Sequence, residues 1–161
     1  METEFAGRFK VKSGNILVTD PCYNKKEAQV VKARKGWWFV EVKTGMFGRD
    51  DKRVFSFACI NGAAQSRINK TLFRAVLRRP VDSGQMGVFD VEQYQKGNKD
   101  KWYEAISNYT LNDPGFKAGA FGFVTHSGLG DGEYEVEVRQ DSDGNAIAVI
   151  CGFIDETDEE L

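Results

Sequence analysis

The 161 residues contain no apolar run of the ~18 residues that a membrane-spanning helix needs, so no membrane partner is expected. The N-terminus, Met-Glu-Thr-Glu-Phe, is acidic and carries no apolar h-region, which predicts no secretory signal. Cysteine is scarce: Cys22, Cys59 and Cys151 show no Cys-x-x-Cys spacing. An odd number of thiols without a signal peptide predicts reduced cysteines and a cytoplasmic location. Cys59 and Cys151 sit in apolar runs and read as core thiols. Histidine is nearly absent. His126 stands alone, which excludes a multi-histidine metal site. A thiol–imidazole dyad with Cys22 would need the two to meet in space. Nothing in the spacing brings them together, and a histidine beside a turn is the favoured reading. No internal repeat is visible.

What is present fits one β-rich domain over 1–154 and an acidic C-terminal tail over 155–161. The net charge of −2 conceals a split. Residues 1–80 hold 17 Lys and Arg against 7 Asp and Glu, whereas residues 81–161 hold 5 against 17. Such a split marks either a basic surface for an anionic partner or two halves that neutralise each other on folding. For a small domain the second reading is favoured.

Period-2 alternation dominates. It predicts strands at 5–12, with Phe5, Gly7, Phe9 and Val11 on one side, and at 16–18, 54–60, 118–125, 134–138 and 146–154. The last is apolar almost throughout and reads as central. Residues 28–34 and 37–42, around Lys35-Gly36, read as a hairpin with a basic outer face. Residues 44–52 and 61–69 read as loops, and 141–145 as a hairpin turn. Residues 70–79 are ambiguous between helix and strand. They lean to strand, with Pro80 as the stop. Helix is expected within 91–110, with Asp90 as N-cap and Gln93 at N3. Within it, Trp102, Ala105, Ile106 and Tyr109 form a core-facing stripe over 99–111. The predicted class is mainly β (α+β): an antiparallel sheet or β-sandwich with one or two helices packed on it.

One stretch concentrates polar chemistry. Residues 81–90, Val-Asp-Ser-Gly-Gln-Met-Gly-Val-Phe-Asp, fit a strand only if it breaks at Gly84 or Gly87. Asp20, Asp82, Ser83, Gln85 and Asp131 are expected to converge, since buried polar groups must find partners. Asp90 is grouped with them as a further carboxylate. Asp82 is expected to accept backbone N–H groups while Ser83 and Gln85 close a turn. Asp131 and Glu133 in their glycine-rich turn have the oxygen ligands of a hard cation, but a tight turn is preferred. The run 141–145 fails as a calcium loop, because glycine stands fourth and the twelfth position is Gly152. Trp37 and Trp38, flanked by Lys32, Arg34, Lys35 and Lys43, mix aromatic rings with positive charge. Such a surface can stack a base and neutralise phosphate. Alternation lets only one of the two tryptophans face the core. Arg74, Arg78 and Arg79 form a second basic cluster.

The order Asp20-Pro21-Cys22-Tyr23, then Val81–Gln85 with Gly87–Asp90, then 127–136 (Ser-Gly-Leu-Gly-Asp-Gly-Glu-Tyr-Glu-Val) resembles a family of uncharacterised bacterial and phage proteins with a domain of unknown function. Its members share DPCY, VDSGQ-x-G-x-FD and GxGDGxYxV elements, and the resemblance covers about residues 14–154. It implies a fold and a polar focus but no reaction. Some members have serine where this chain has His126, which argues against a catalytic role there.

No nucleophile–base pair, metal-ligand spacing or phosphate loop emerges, so catalysis is not the leading expectation and no cofactor is predicted. The leading reading is a non-catalytic binding module that takes a small anionic ligand through Trp37, Trp38, Arg74, Arg78 and Arg79. A bacterial or phage origin, which only the resemblance implies, makes a signalling nucleotide in phage–host conflict a sensible candidate. The acidic total argues against long nucleic acid. The alternatives are a metal-dependent hydrolase built on Asp20, Asp82, Asp90 and Asp131, and a protein-interaction or self-associating module that forms a homo-oligomer.

Overall fold

A computed structural model describes residues 1–70 and 73–158. The alternating stretches form two antiparallel sheets. The first runs, edge to edge, β1 (Glu2–Val11), β4 (Gly36–Met46), β5 (Lys52–Asn61), β11 (Ala146–Gly152), β10 (Gly132–Gln140) and β6 (Phe73–Val81). The second runs β3 (Val30–Lys32), β2 (Asn15–Thr19), β7 (Gln85–Asp90), β9 (Gly122–His126) and β8 (Phe116–Gly119). Their facing sides enclose one core that takes Phe9, Trp38, Val40, Phe57 and Val149 from the first sheet and Ile16, Val18, Met86, Val88 and Phe123 from the second. The chain is therefore mainly β, a sandwich with one helix packed on it.

The second sheet is buried on both faces, and its sequence shows why. Along β2, Ile16 and Val18 point into the sandwich while Leu17 points out. Phe89 of β7 and Val124 of β9 likewise point out, and with Tyr94 and Ile106 they form a second apolar cluster. The helix α1 (Lys99–Leu111) covers that outer face. Trp102 packs edge-on against Phe89 and Tyr94, and Tyr109 stacks on Phe121. Ala105, placed on the same stripe by spacing, is exposed. Asn98 caps the helix by accepting the Lys101 N–H at 3.0 Å. Asp90 is not the cap. A turn and a left-handed Gln95 (φ 53°) separate it from the helix.

Several expectations are corrected. Residues 28–34 and 37–42 do not pair as a hairpin, because β3 joins β2 in one sheet and β4 joins β1 and β5 in the other. Lys35-Gly36 carries the chain between the sheets. The 44–52 loop shrinks to 47–51, since β4 extends to Met46 and β5 begins at Lys52. Gly62–Lys70 is a 3-10 segment. Residues 71 and 72 lie outside the described residues, and from Phe73 the ambiguous stretch is a strand. Pro80 does not stop β6 but sits within it. That is tolerated because β6 is an edge strand, where a missing N–H breaks no ladder. The expected strand at 118–125 is two, β8 and β9, joined at 120–121. A bulge between Phe5 and Gly7 turns Phe5 outward (61% exposed), while Phe9 stays buried. β11 lies inside the sheet, between β5 and β10. Of the acidic tail, Glu156–Asp158 forms a 3-10 turn, and 159–161 lie outside the described residues. Among the described residues no helix is long and apolar enough to cross a membrane.

Candidate functional site

The stretch 81–90 crosses from one sheet to the other. It leaves β6 at Val81, turns over 82–84 and enters β7 at Gln85. Gly84 takes φ +67°, a left-handed backbone that glycine adopts without a Cβ penalty. Gly87 serves a different need: a Cβ there would lie 2.4 Å from the Phe123 carbonyl and from the Phe89 ring.

Asp20, at the end of β2 and fully buried, holds this corner together. Its Oδ2 accepts the backbone N–H of Asp82 (2.8 Å) and of Ser83 (2.7 Å). Its Oδ1 accepts the Cys22 N–H (2.8 Å) and the Ser83 hydroxyl (2.6 Å). The Gln85 amide donates to Ser83 Oγ (3.2 Å) and to Ser107 Oγ (3.1 Å), and its carbonyl accepts from Thr110 (2.8 Å). The corner is thereby tied to α1. The expected acceptor is corrected: Asp20, not Asp82, receives the backbone donors. The Asp82 side chain is exposed and accepts the Tyr23 hydroxyl. Asp131 stands beside the turn, 4.0 Å from where a Cβ on Gly84 would lie. Burial and the hydrogen bond with Asp20 push the Cys22 thiol up to about 12, so it stays protonated.

Asp90 does not join this corner. It lies at the other end of β7, about 17 Å away at ~3.4 Å per residue. Its oxygens accept the N–H groups of Lys12 (2.6 Å), Ser13 (3.0 Å) and Glu92 (2.8 Å). A four-carboxylate site from Asp20, Asp82, Asp90 and Asp131 is therefore not assembled. Among the described residues no group of three or more His, Cys, Asp or Glu has metal-binding geometry.

The basic and aromatic candidates separate as well. Trp38 is buried in the core, stacked on Phe9, with its indole N–H on the Arg34 carbonyl (2.9 Å). Trp37 faces outward, 41% exposed. Arg74 and Arg78 lie on β6, at the opposite side of the sheet from β1, four strand spacings or about 19 Å from β4. They meet Glu137 (3.1 Å) and Glu133 (2.6 Å) on β10. Arg79 points the other way and is 7% exposed, with its Nε donating to the Val18 carbonyl (2.9 Å). Burial pushes its guanidinium down from the ordinary value. It seams the two sheets together and is not a surface cation.

What surrounds Trp37 instead is β1. The Arg8 guanidinium lies 4.1 Å from the centre of the ring and the Lys10 ammonium 5.5 Å. With Lys12, Asp90, Gln93 and the 119–120 turn they line a groove of about 490 Å³. On the far side of the β1–β2 turn, Lys32, Arg34 and Lys35 line a second hollow of about 430 Å³. None of these six cations has a carboxylate within ion-pair distance among the described residues. Asp90 borders the groove, but its oxygens are engaged by backbone N–H groups. Arg8, Lys10 and Lys12 were legible as candidates: they alternate with the buried Phe9 and Val11, so they share one side of a strand. Comparison with protein-family models, with curated proteins and with solved structures finds no match to this chain.

Proposed function

We propose that this chain is a non-catalytic binding module for a small anionic ligand, with a nucleotide as the chemical class that fits best. The observation that carries the reading is the half-exposed Trp37 ring set among Arg8, Lys10 and Lys12, cations without carboxylate partners. An indole face is a stacking platform for a base. Lysine and arginine supply charge-assisted donors to phosphate. A groove of about 490 Å³ falls in the range of small-molecule sites, ~300–1,000 Å³. Arg8 already covers part of the ring, so a base either takes its place or stacks on the guanidinium plane.

The binding residues of this reading are Trp37, Arg8, Lys10 and Lys12. Arg74, Arg78, Arg79 and Trp38 have other partners. A metal-dependent hydrolase draws no support from the carboxylates, because Asp20 is saturated by four donors and Asp90 lies elsewhere. The test is calorimetric titration with mono-, di- and cyclic nucleotides at two salt concentrations. The reading expects binding that weakens with salt and falls in Trp37→Ala and Arg8→Ala. No heat from any nucleotide at low salt overturns it.

A further inference from the structure

The groove at Trp37 and the hollow at Lys32, Arg34 and Lys35 are neighbours. Lys12 lines the groove, and Ser13 and Gly14, which follow it in the chain, line the hollow. Trp37 borders the groove, and Lys35, two residues before it and at most about 7 Å away, borders the hollow. The residue between them is Gly36, where a Cβ would meet only the Asn61 amide within 4 Å. Lys35 reaches over the β1–β2 turn, with its Cε 3.2 Å from where a Cβ on Gly14 would lie. The segment that carries these cations is fixed from two sides. The Ala33 N–H donates to the Gly14 carbonyl and the Arg34 N–H to the Ala146 carbonyl, both at 2.9 Å. The Asn61 amide donates to the Lys35 carbonyl at 3.3 Å. Asn15 and Asn145 complete the polar lining of the hollow, and no carboxylate lines it. Asp141, four residues before Asn145, has its Oδ1 taken by the N–H groups of Asp143 and Asn145 at 3.0 Å.

We infer that groove and hollow together bind one short single strand of nucleic acid, with a base on Trp37 and the neighbouring phosphates along Lys12, Lys35 and the hollow. This rests on the proposed nucleotide groove and extends it past the β1–β2 turn. The charge count carries it. Arg8, Lys10, Lys12, Lys32, Arg34 and Lys35 have no carboxylate at ion-pair distance among the described residues. Like charges gathered in this way repel one another, and the fold offsets none of that. A nucleoside monophosphate brings at most about two negative charges, which leaves most of the six cations unmet. A strand brings one charge per phosphate and presents them in a row. The strand is single because a duplex hides the base faces that an indole stacks on. The acidic total does not oppose this. Glu133 and Glu137 on β10 stand three strand spacings from β4, about 14 Å, beyond the screening length of ~8 Å at physiological salt.

Thymidine monophosphate and oligothymidylates of two, four and six nucleotides are the probes, titrated by calorimetry over a series of salt concentrations. Affinity should rise with length up to about four nucleotides, the lower end of single-strand site sizes. For the hexamer, log K should fall with log salt at a slope of about −3, from four phosphate contacts at ~0.7 each. The monophosphate should give a clearly shallower slope. Lys32 and Lys35 are exposed, so the double variant Lys32→Ala/Lys35→Ala should fold as the wild type does. It should bind the hexamer about 10-fold more weakly at ~0.1 M salt, with the slope reduced by about 1.4. Its affinity for the monophosphate should not change. Monophosphate binding with no gain from added length overturns the strand and leaves the nucleotide groove standing. Equal hexamer affinity in the double variant does the same. A hairpin duplex that binds as tightly as the hexamer also overturns the strand. No heat from any probe at low salt overturns the groove and the strand together.

Discussion

At the corner between β6 and β7 a single carboxylate meets four donors, whereas at the start of β4 an indole ring meets cations that have no anion. Both regions are rich in the residue types that make sites. The corner contains Asp, Ser, Gln, Tyr and Cys within two short stretches, yet its strongest groups are spent on one another and on backbone. Satisfied polar networks fix a structure, because a buried donor or acceptor left open is costly. The groove has the opposite character. Arg8, Lys10 and Lys12 are exposed, and Trp37 keeps 41% of its surface in solvent. The difference teaches that polar density marks where a chain needs internal bonds, while unmet capacity marks where it has bonds left to give.

The largest test of that contrast is Asp20→Ala. It strands the N–H groups of Cys22, Asp82 and Ser83 and the Ser83 hydroxyl in a part-buried turn around a fully buried position. The donors are part-buried, so water recovers some of them, and the total loss should be about 2–3 kcal/mol, the upper part of the range for one buried group left open. Denaturant unfolding measures it. Asp20→Asn, which retains one acceptor oxygen, should fall between. A stable Asp20→Ala protein that no longer bound nucleotide would reverse the assignment and make the corner the site.

The groove should respond the other way. Trp37→Ala removes a stacking surface for which alanine substitutions typically cost about 1–3 kcal/mol per base, so nucleotide affinity should fall about 10-fold or more. Its melting temperature should stay close to that of the wild type, since the ring lies outside the core. Calorimetry paired with thermal melting separates the two effects. A large drop in melting temperature with unchanged affinity would show that Trp37 serves packing.

The fold was legible where periodicity was clean. The apolar 16–18 and 146–154 runs gave strands because both their faces are covered. Gly84 was legible as a break because a strand has no place for its left-handed backbone. The false hairpin at 28–42 shows the limit. Two alternating runs with a glycine between them look alike whether they pair with each other or part into different sheets. Only the competing partners β2 and β1 decide. The same holds for Arg74, Arg78 and Arg79. Their clustering in sequence was plain, but β6 sends the first two to one face and the third to the other, and Glu133 and Glu137 lie far away in the chain. Arg8, Lys10 and Lys12 alternate with Phe9 and Val11 and so share the polar side of β1, but only the pairing of β1 with β4 sets them beside Trp37. The split of charge between the halves resolves both ways: β6 and β10 neutralise each other, and the β1–β4 end does not.

Asp90 links the two regions, since it borders the groove while bonding like the corner. Burial pushes its carboxyl up, but the backbone N–H groups of Ser13, Glu92 and Lys12 outweigh burial and hold it below its ordinary value of 3.8. A depressed folded-state value means that the stabilisation is fully present above the unfolded value. It is lost as pH falls through the folded one. Asp90→Asn should therefore cost about 1 kcal/mol at neutral pH, with the difference from wild type shrinking below about pH 4. Urea unfolding at a series of pH values reads this. A difference that grows toward acid would mean that Asp90 is not the acceptor of these bonds.

Arg78→Ala should do least, and that makes it the sharpest control. Arg78 and Arg8 are both exposed arginines on edge strands of the same sheet, so each substitution removes one positive charge. Arg78 already has Glu133 at 2.6 Å, in a pair whose side chains are 65% and 54% exposed. Exposed pairs of this kind contribute about 0.2–1 kcal/mol, so stability should barely change. Nucleotide affinity should not change at all, because the nearest cations of the groove lie across the width of the sheet. Arg8→Ala, by contrast, should weaken binding and flatten its salt dependence. Equal losses in the two variants would mean that the ligand responds to overall charge and not to a site, and the contrast between partnered and unpartnered cations would lose its functional meaning.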